Sequence, residues 1–353
     1  MPRRSILSAS EQARLLAPAD DPLDLIRYYT LSEHDLSVIR QRRGAANRLG
    51  FAVQLCYMRH PGVILATDKP PAAPLLRLVA TQLKVAPESW AVYGQRVQTR
   101  REHLVELQTV FGFRSFTMRH YRAAGQVLES LAWQTDKGIV LAEALVADLR
   151  RQSILLPSIK VIERICAEAI TRATRRMHAT LTKTLTRADQ ERLDALLHLR
   201  EGSTVSTLVW LRQSPGAPNA KHVLEHLERL RAIEALGVSP GVEYDVHQNR
   251  LLKLAREGGQ MTAQHVRELE PTRRYATLVA VVLEARATVI DETIDLNDRI
   301  IGTLFNRARR HHEEHFQQSG KAINEKVRLF YRVGQALLKA RQAGGDPFRP
   351  SRP

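Results

Sequence analysis

Arg40-Gln41-Arg42-Arg43-Gly44-Ala45-Ala46-Asn47-Arg48-Leu49-Gly50-Phe51-Ala52-Val53-Gln54-Leu55-Cys56 decides the reading of this chain. A helix starting near Ser32 ends in the arginines, Gly44 permits a tight turn, and a second helix puts Leu49, Ala52, Val53 and Cys56 on one face. Phe51, Leu55 and Met58 widen that face. Arg43, Asn47, Gly50 and Gln54 fall at offsets 0, 4, 7 and 11 on the opposite side, a polar stripe whose central glycine permits close approach to another surface. Helix, glycine turn and polar-faced second helix is the arrangement of a helix-turn-helix module in a major groove. Arg suits the O6/N7 edge of guanine, and Asn or Gln the N6/N7 edge of adenine. A solvated helix face in an arginine-rich chain carries the same pattern and is the competing reading.

Outward from this stretch the helical pattern continues. Proline interrupts at Pro61, at Pro70-Pro71 and Pro74, and at Pro215 and Pro218, while no proline occurs between Pro271 and Pro347. Capping boxes are expected at Ser8–Glu11, Thr30–Glu33, Thr99–Glu102 and Thr186–Asp189. Val242 to His247 alternates as a strand would, and a lone strand has no sheet. The expected class is all-α, with tandem helix-turn-helix-like modules followed by a long-helix bundle. The divisions are 1–66 and 75–183 for two helical modules, 184–270 for a neutral connecting module, 271–345 for the bundle (helices near 272–312 and 320–342), and 346–353 for a tail.

The 353 residues carry 53 Lys and Arg against 37 Asp and Glu, a net charge of +16, and 43 of the basic residues are arginine. Net charge is +4 over 1–88, +7 over 89–183, −1 over 184–270 and +6 over 271–353. A charge that switches off between segments fits separate functional modules better than a general solubility device. Global disorder is excluded by the 44% hydrophobic content. No apolar run approaches the roughly 18 residues of a membrane span. Cys56 and Cys166 lie among apolar residues on helical patterns, as buried small hydrophobes of a reducing cytoplasm do.

Two further basic segments follow the first, which itself supplies Arg40, Arg42, Arg43, Asn47, Arg48 and Gln54 as candidate DNA contacts. Tyr93 to His103 adds Arg96, Arg100, Arg101 and His103, with Thr99 as the expected cap and the last three in the first exposed turn. Cations there oppose the helix dipole, so helix stability does not account for them. Arg114, Arg119 and Arg122 come next. Arg307 to His312 lies late in a long helix, where cations stabilise the helix end and need no partner.

The run Thr30-Leu31-Ser32-Glu33 with Arg42 through Gly62 resembles the N-terminal domain of Tn3-family transposases. Thr99 to Leu104 with Phe111 to Arg114, and Leu296 to Gly302 with Phe305 to Arg310, resemble later blocks of the family. The resemblance implies that this region binds the terminal inverted repeats of double-stranded transposon DNA. It implies protein partners too, a second copy or full-length transposase, and a bacterial, cytoplasmic protein that is nucleoid-associated when bound. The family's Asp/Asp/Glu catalytic domain lies further toward the C-terminus than this sequence extends. The chain is therefore expected to be non-enzymatic and without a cofactor, Mg²⁺ being implied only for that absent domain. A truncated transposase acting as a repressor is the alternative function.

Other chemistry is set aside. His311, Glu314 and His315 fit a metalloprotease pattern, but only Glu325 and Asp346 follow as acidic candidates for a distant ligand and the run lies in a basic helix, while Asp291, Asp295 and Asp298 share a helix face that solvation explains. No catalytic or metal residue is assigned.

Overall fold

A computed structural model describes residues 5–66, 69–95, 97–214, 216–239 and 241–344. In chain order the helices are α1 (Ala9–Leu16), α2 (Pro22–Tyr29), α3 (Glu33–Arg40), α4 (Ala45–Arg59), α5 (Ala73–Leu83), α6 (Val97–Phe111), α7 (Met118–Gln134) and α8 (Gly138–Arg151). There follow α9 (Ile159–Thr182), α10 (Arg187–Ala195), α11 (Thr207–Leu211), α12 (Ala220–Glu234), α13 (Gln248–Gln260), α14 (Ala263–Arg267) and α15 (Pro271–Gln342). Among the described residues there is no strand, only the isolated bridges Arg114–Ile154 and Leu199–Ser206, and the expected all-α class is observed. The chain forms two compact units, Met1–Leu197 with Val238–Val281, and His198–Gly237 with Val282–Pro353.

In the first unit α4 is the axis of one core. Every residue from Leu49 to Met58 is buried. Ile39 on α3, Leu75 and Val79 on α5, Leu107 on α6 and Tyr29 at the end of α2 close around it. A helix apolar on nearly all sides needs cover on all sides, so this core crosses the expected boundary at residue 66 and draws in Leu107 and, further along the chain, Leu155. The second core is formed by α7, α8 and α9, with Leu7 and Leu15 from the chain start packed against them. Residues 1–66 thus contribute to both cores. Cys56 and Cys166 are buried free thiols, as expected, and burial pushes both up to about 12.

Helix starts follow local chemistry where a cap is present. Ser8 with Glu11 and Thr186 with Asp189 form the expected capping boxes. Two expected boxes are corrected. The cap of α3 is Ser32, boxed with Asp35, because Thr30 ends α2 and gives its hydroxyl to the Ile26 carbonyl at 2.5 Å. Thr99 lies inside α6, which already begins at Val97, and Glu102 there accepts from Gln98 at 2.8 Å.

Val242–Asp245 is a 3₁₀ turn, not a strand. Helix α13 occupies a stretch with no assignment from sequence. Its Gly258 lies where a Cβ would stand 2.5 Å from Thr277 and 2.7 Å from Val281, so the glycine is a packing contact with α15 rather than a breaker.

In the second unit Trp210 on α11 lies under two guanidinium groups, Arg200 at 4.1 Å and Arg229 at 5.9 Å. Buried His226 joins α12 to α15 through Glu292, Nε2 to Oε2 at 3.2 Å. The break expected near 312–320 is absent: α15 continues through Ser319-Gly320, a glycine costing a helix only about 1 kcal/mol and no proline being present. Beyond Leu296 its side chains, including Phe305, Phe316 and Phe330, are largely exposed, so among the described residues no second helix completes the expected bundle. The expected tail at 346–353 lies outside the described residues.

Candidate nucleic-acid interface

The turn between α3 and α4 is fixed from below. Asp35 accepts from the Ser32 backbone N–H at 2.8 Å and takes both arms of Arg59, at 2.8 and 2.6 Å, so the cap of α3 and the last turn of α4 share one carboxylate. Burial works against its ionisation, yet the Arg59 fork and the Ser32 amide outweigh it and hold the carboxyl below the usual range. Gly44 then adopts φ +83° and begins α4 without a side-chain cap. This leaves Arg40, Arg43 and Arg48 exposed on a tight knuckle. Asn47 donates Nδ2 back to the Arg43 carbonyl at 3.0 Å, and Arg48 Nε donates to the Arg42 carbonyl at 3.0 Å.

Not every candidate stays available to a partner. Arg42 pairs with Glu106 on α6 and lies over Phe51 at 5.2 Å, so it ties the knuckle down rather than reaching outward. The expected polar stripe along α4 is corrected beyond its first turn. Gly50 is covered by the Tyr93 ring, and Gln54 is fully buried, its amide donating to the Leu65 carbonyl at 3.2 Å and accepting from the Leu65 N–H at 3.3 Å. A helix buried on every side from Leu49 onward cannot lie lengthwise in a groove; it can present only its N-terminal turn. The sequence held the signal for this, since Leu49 to Met58 has Gln54 as its one amide or charged side chain.

The second segment divides in the same way. Arg101 is exposed on α6. Arg100 turns inward and donates to the same Leu65 carbonyl as Gln54. His103, expected in an exposed turn, is corrected to a core residue. It stacks on Tyr93 at 5.8 Å, with Tyr93 Oη 3.3 Å from Nδ1, and meets the edge of Phe51 at 5.2 Å. Burial, and then the charge of Arg42, lower its pKa and favour the neutral ring. Arg114 is exposed but bonds the Gln152 carbonyl at 2.9 Å, Arg119 and Arg122 are exposed on α7, and Arg96 lies outside the described residues.

Sequence reasoning did not single out Lys160, Arg164, Arg172 and Arg175, which α9 exposes beside Arg122. Their recurrence at helical spacing was visible in the sequence. Arg307 to His312 is exposed along α15, as are Asp291, Asp295 and Asp298. Among the described residues no three His, Cys, Asp or Glu side chains gather as a metal site, and no helix is long and apolar enough to cross a membrane.

Residues 6–169 match the family described as Domain of unknown function (DUF4158). Over 348 residues, 99% of the chain, the sequence is 64% identical to the transposase for transposon Tn3926 of Escherichia coli and 62% identical to that for Tn21 of the same organism. It is 52% identical over the same length to the transposase for Tn501 of Pseudomonas aeruginosa. These homologues are transposases of Tn3-family transposons. The chain spans about a third of the length of these curated relatives, 35% in each case.

Proposed function

We propose that this chain is the DNA-recognition part of a Tn3-family transposase and binds the terminal inverted repeats of its transposon. Similarity to transposases across 99% of the chain carries this reading. The exposed cations support it: Arg40, Arg43, Arg48, Arg101, Arg119 and Arg122 have no ion-pair partner among the described residues. An unneutralised arginine surface binds duplex phosphates with counterion release, and an arginine or asparagine at a helix start can read a base edge. In this reading the first turn of α4, with Arg43 and Asn47, supplies base contacts. Arg101 and Arg119 supply phosphate contacts, and strand cleavage is not assigned to the chain.

The test is fluorescence anisotropy on two duplexes of equal length, one bearing the terminal inverted repeat of Tn3926 and one scrambled. At physiological salt the repeat should bind more tightly. Arg43→Ala or Asn47→Ala should reduce that preference by the roughly 1–3 kcal/mol of a base contact. Equal affinity of the unaltered chain for both duplexes would remove the reading.

A further inference from the structure

Beside the second core, α7 and α9 border an open groove of about 1030 Å³. Five cations line it, Arg122 from α7 and Lys160, Arg164, Arg172 and Arg175 from α9. Two carboxylates also line it, and both are occupied by neutral donors. Glu163 accepts from the Ser5 hydroxyl and from Gln12 Nε2 at 3.2 Å, and Glu168 accepts from Tyr121 Oη at 2.8 Å. Arg164 lies over the Tyr121 ring at 5.0 Å with Nε 3.1 Å from its hydroxyl. Among the described residues Arg122, Lys160, Arg172 and Arg175 have no ion-pair partner, whereas Arg176, next along α9, is neutralised by Glu129 at 3.4 Å.

Gly125 gives Arg172 its position. A Cβ there would stand 2.5 Å from Nη2 and 3.5 Å from the guanidinium carbon, so the cation lies across the backbone of α7. Glycine inside a helix costs about 1 kcal/mol relative to alanine, and here it makes room for a charge that no carboxylate meets. Lys160 and Arg175 are fifteen positions apart, a run of about 22 Å along α9. A small anion would occupy one end of such a row. A duplex strand carries a phosphate every ~3.4 Å of axis and can meet its whole length.

We infer that this groove is a binding site for the sugar-phosphate backbone of duplex DNA, giving salt-dependent affinity without sequence preference. The inference rests on the DNA-binding reading above and places a second contact surface on α7 and α9, away from the knuckle at α4. Arginine in rows along a groove suits phosphate oxygens, which are the same at every base pair.

The test is the salt dependence of binding of the full chain to the repeat and scrambled duplexes, for R172A/R175A, R172K/R175K and R187A, with thermal unfolding as the folding control. Arg187 is an exposed cation outside the groove. R172A/R175A should bind both duplexes more weakly by the same factor, with the slope of log K against log salt shallower by about 1.8 and the preference for repeat unchanged. R172K/R175K should restore the slope, and R187A should leave it as it was.

An unchanged slope in R172A/R175A, with the unaltered chain still preferring the repeat, would overturn the groove and leave the proposed function standing. Loss of the repeat preference would overturn the backbone role, and an equal loss in R187A would show a general charge effect instead. Polyglutamate that binds the unaltered chain but not R172A/R175A, with the DNA slope unchanged, would assign the groove to an acidic polypeptide and overturn the inference. Absence of any DNA binding by the unaltered chain would instead remove the underlying reading.

Discussion

The ring of Tyr93 lies on the backbone of Gly50, so that a β-carbon at Gly50 would be driven into it. In an exposed helix, glycine to alanine gains about 1 kcal/mol. Here overpacking reverses the sign, and Gly50→Ala is expected to destabilise the chain by about 1–3 kcal/mol. Urea unfolding measures it, and a rise in stability would show that Tyr93 is not seated there.

Gln54 shares the Leu65 backbone with Arg100, and its loss leaves a buried N–H without a partner. Gln54→Ala is expected to cost about 1–3 kcal/mol of stability. At a temperature where the variant stays folded, its preference for repeat over scrambled duplex should match that of the unaltered chain. A selective loss of preference would return Gln54 to the interface.

Breaking the Asp35–Arg59 fork should be costly, because the Asp35 side chain is only 2% exposed. Arg59→Ala is expected to lose about 3 kcal/mol, the low end for stranding a buried charge, since water reaches a third of Arg59. The pH dependence has a definite sign. The folded carboxyl sits below its usual value, so its stabilisation is complete above about pH 4, the ordinary aspartate range, and is lost as pH falls through the lowered folded value. Acid titration of the unfolding midpoint should show this loss, and Arg59→Ala should diminish it.

Histidines act over a higher pH range. Burial, with Arg150 adding to it, lowers His60 to about 4, and burial lowers His103 and His178 as well. The unfolded chain therefore takes up protons below about pH 6.5 that the folded chain refuses, and stability should fall as pH drops from there toward 4. The urea midpoint at pH 5 is expected below that at pH 7, and His60→Gln should narrow the difference. A midpoint independent of pH across this range would contradict the burial of these rings.

The knuckle at Gly44 shows how much was legible. Ser32, the arginine run and the glycine are local signals, and the structure has the turn where the sequence puts it. The apolar run from Leu49 to Met58 signals that α4 is covered, but which groups cover it was not legible, because Tyr93, Leu65 and Arg100 reach it from more than ten positions away. Arginines are a second case: Arg42 and Arg43 are adjacent, yet Glu106 claims one and leaves the other exposed.

By itself the sequence determined what depends on neighbours within one or two turns: the all-helical class, the capped helix starts at Ser8 and Thr186, and the burial of Cys56 and Cys166. Tertiary structure alone decided which polar groups remain for a partner. A side chain's availability depends on whether a distant segment supplies its hydrogen bond or removes its water. Gln54 and His103 were withdrawn into the core that way, while Arg172, resting on Gly125 of another helix, was left with its charge unmet.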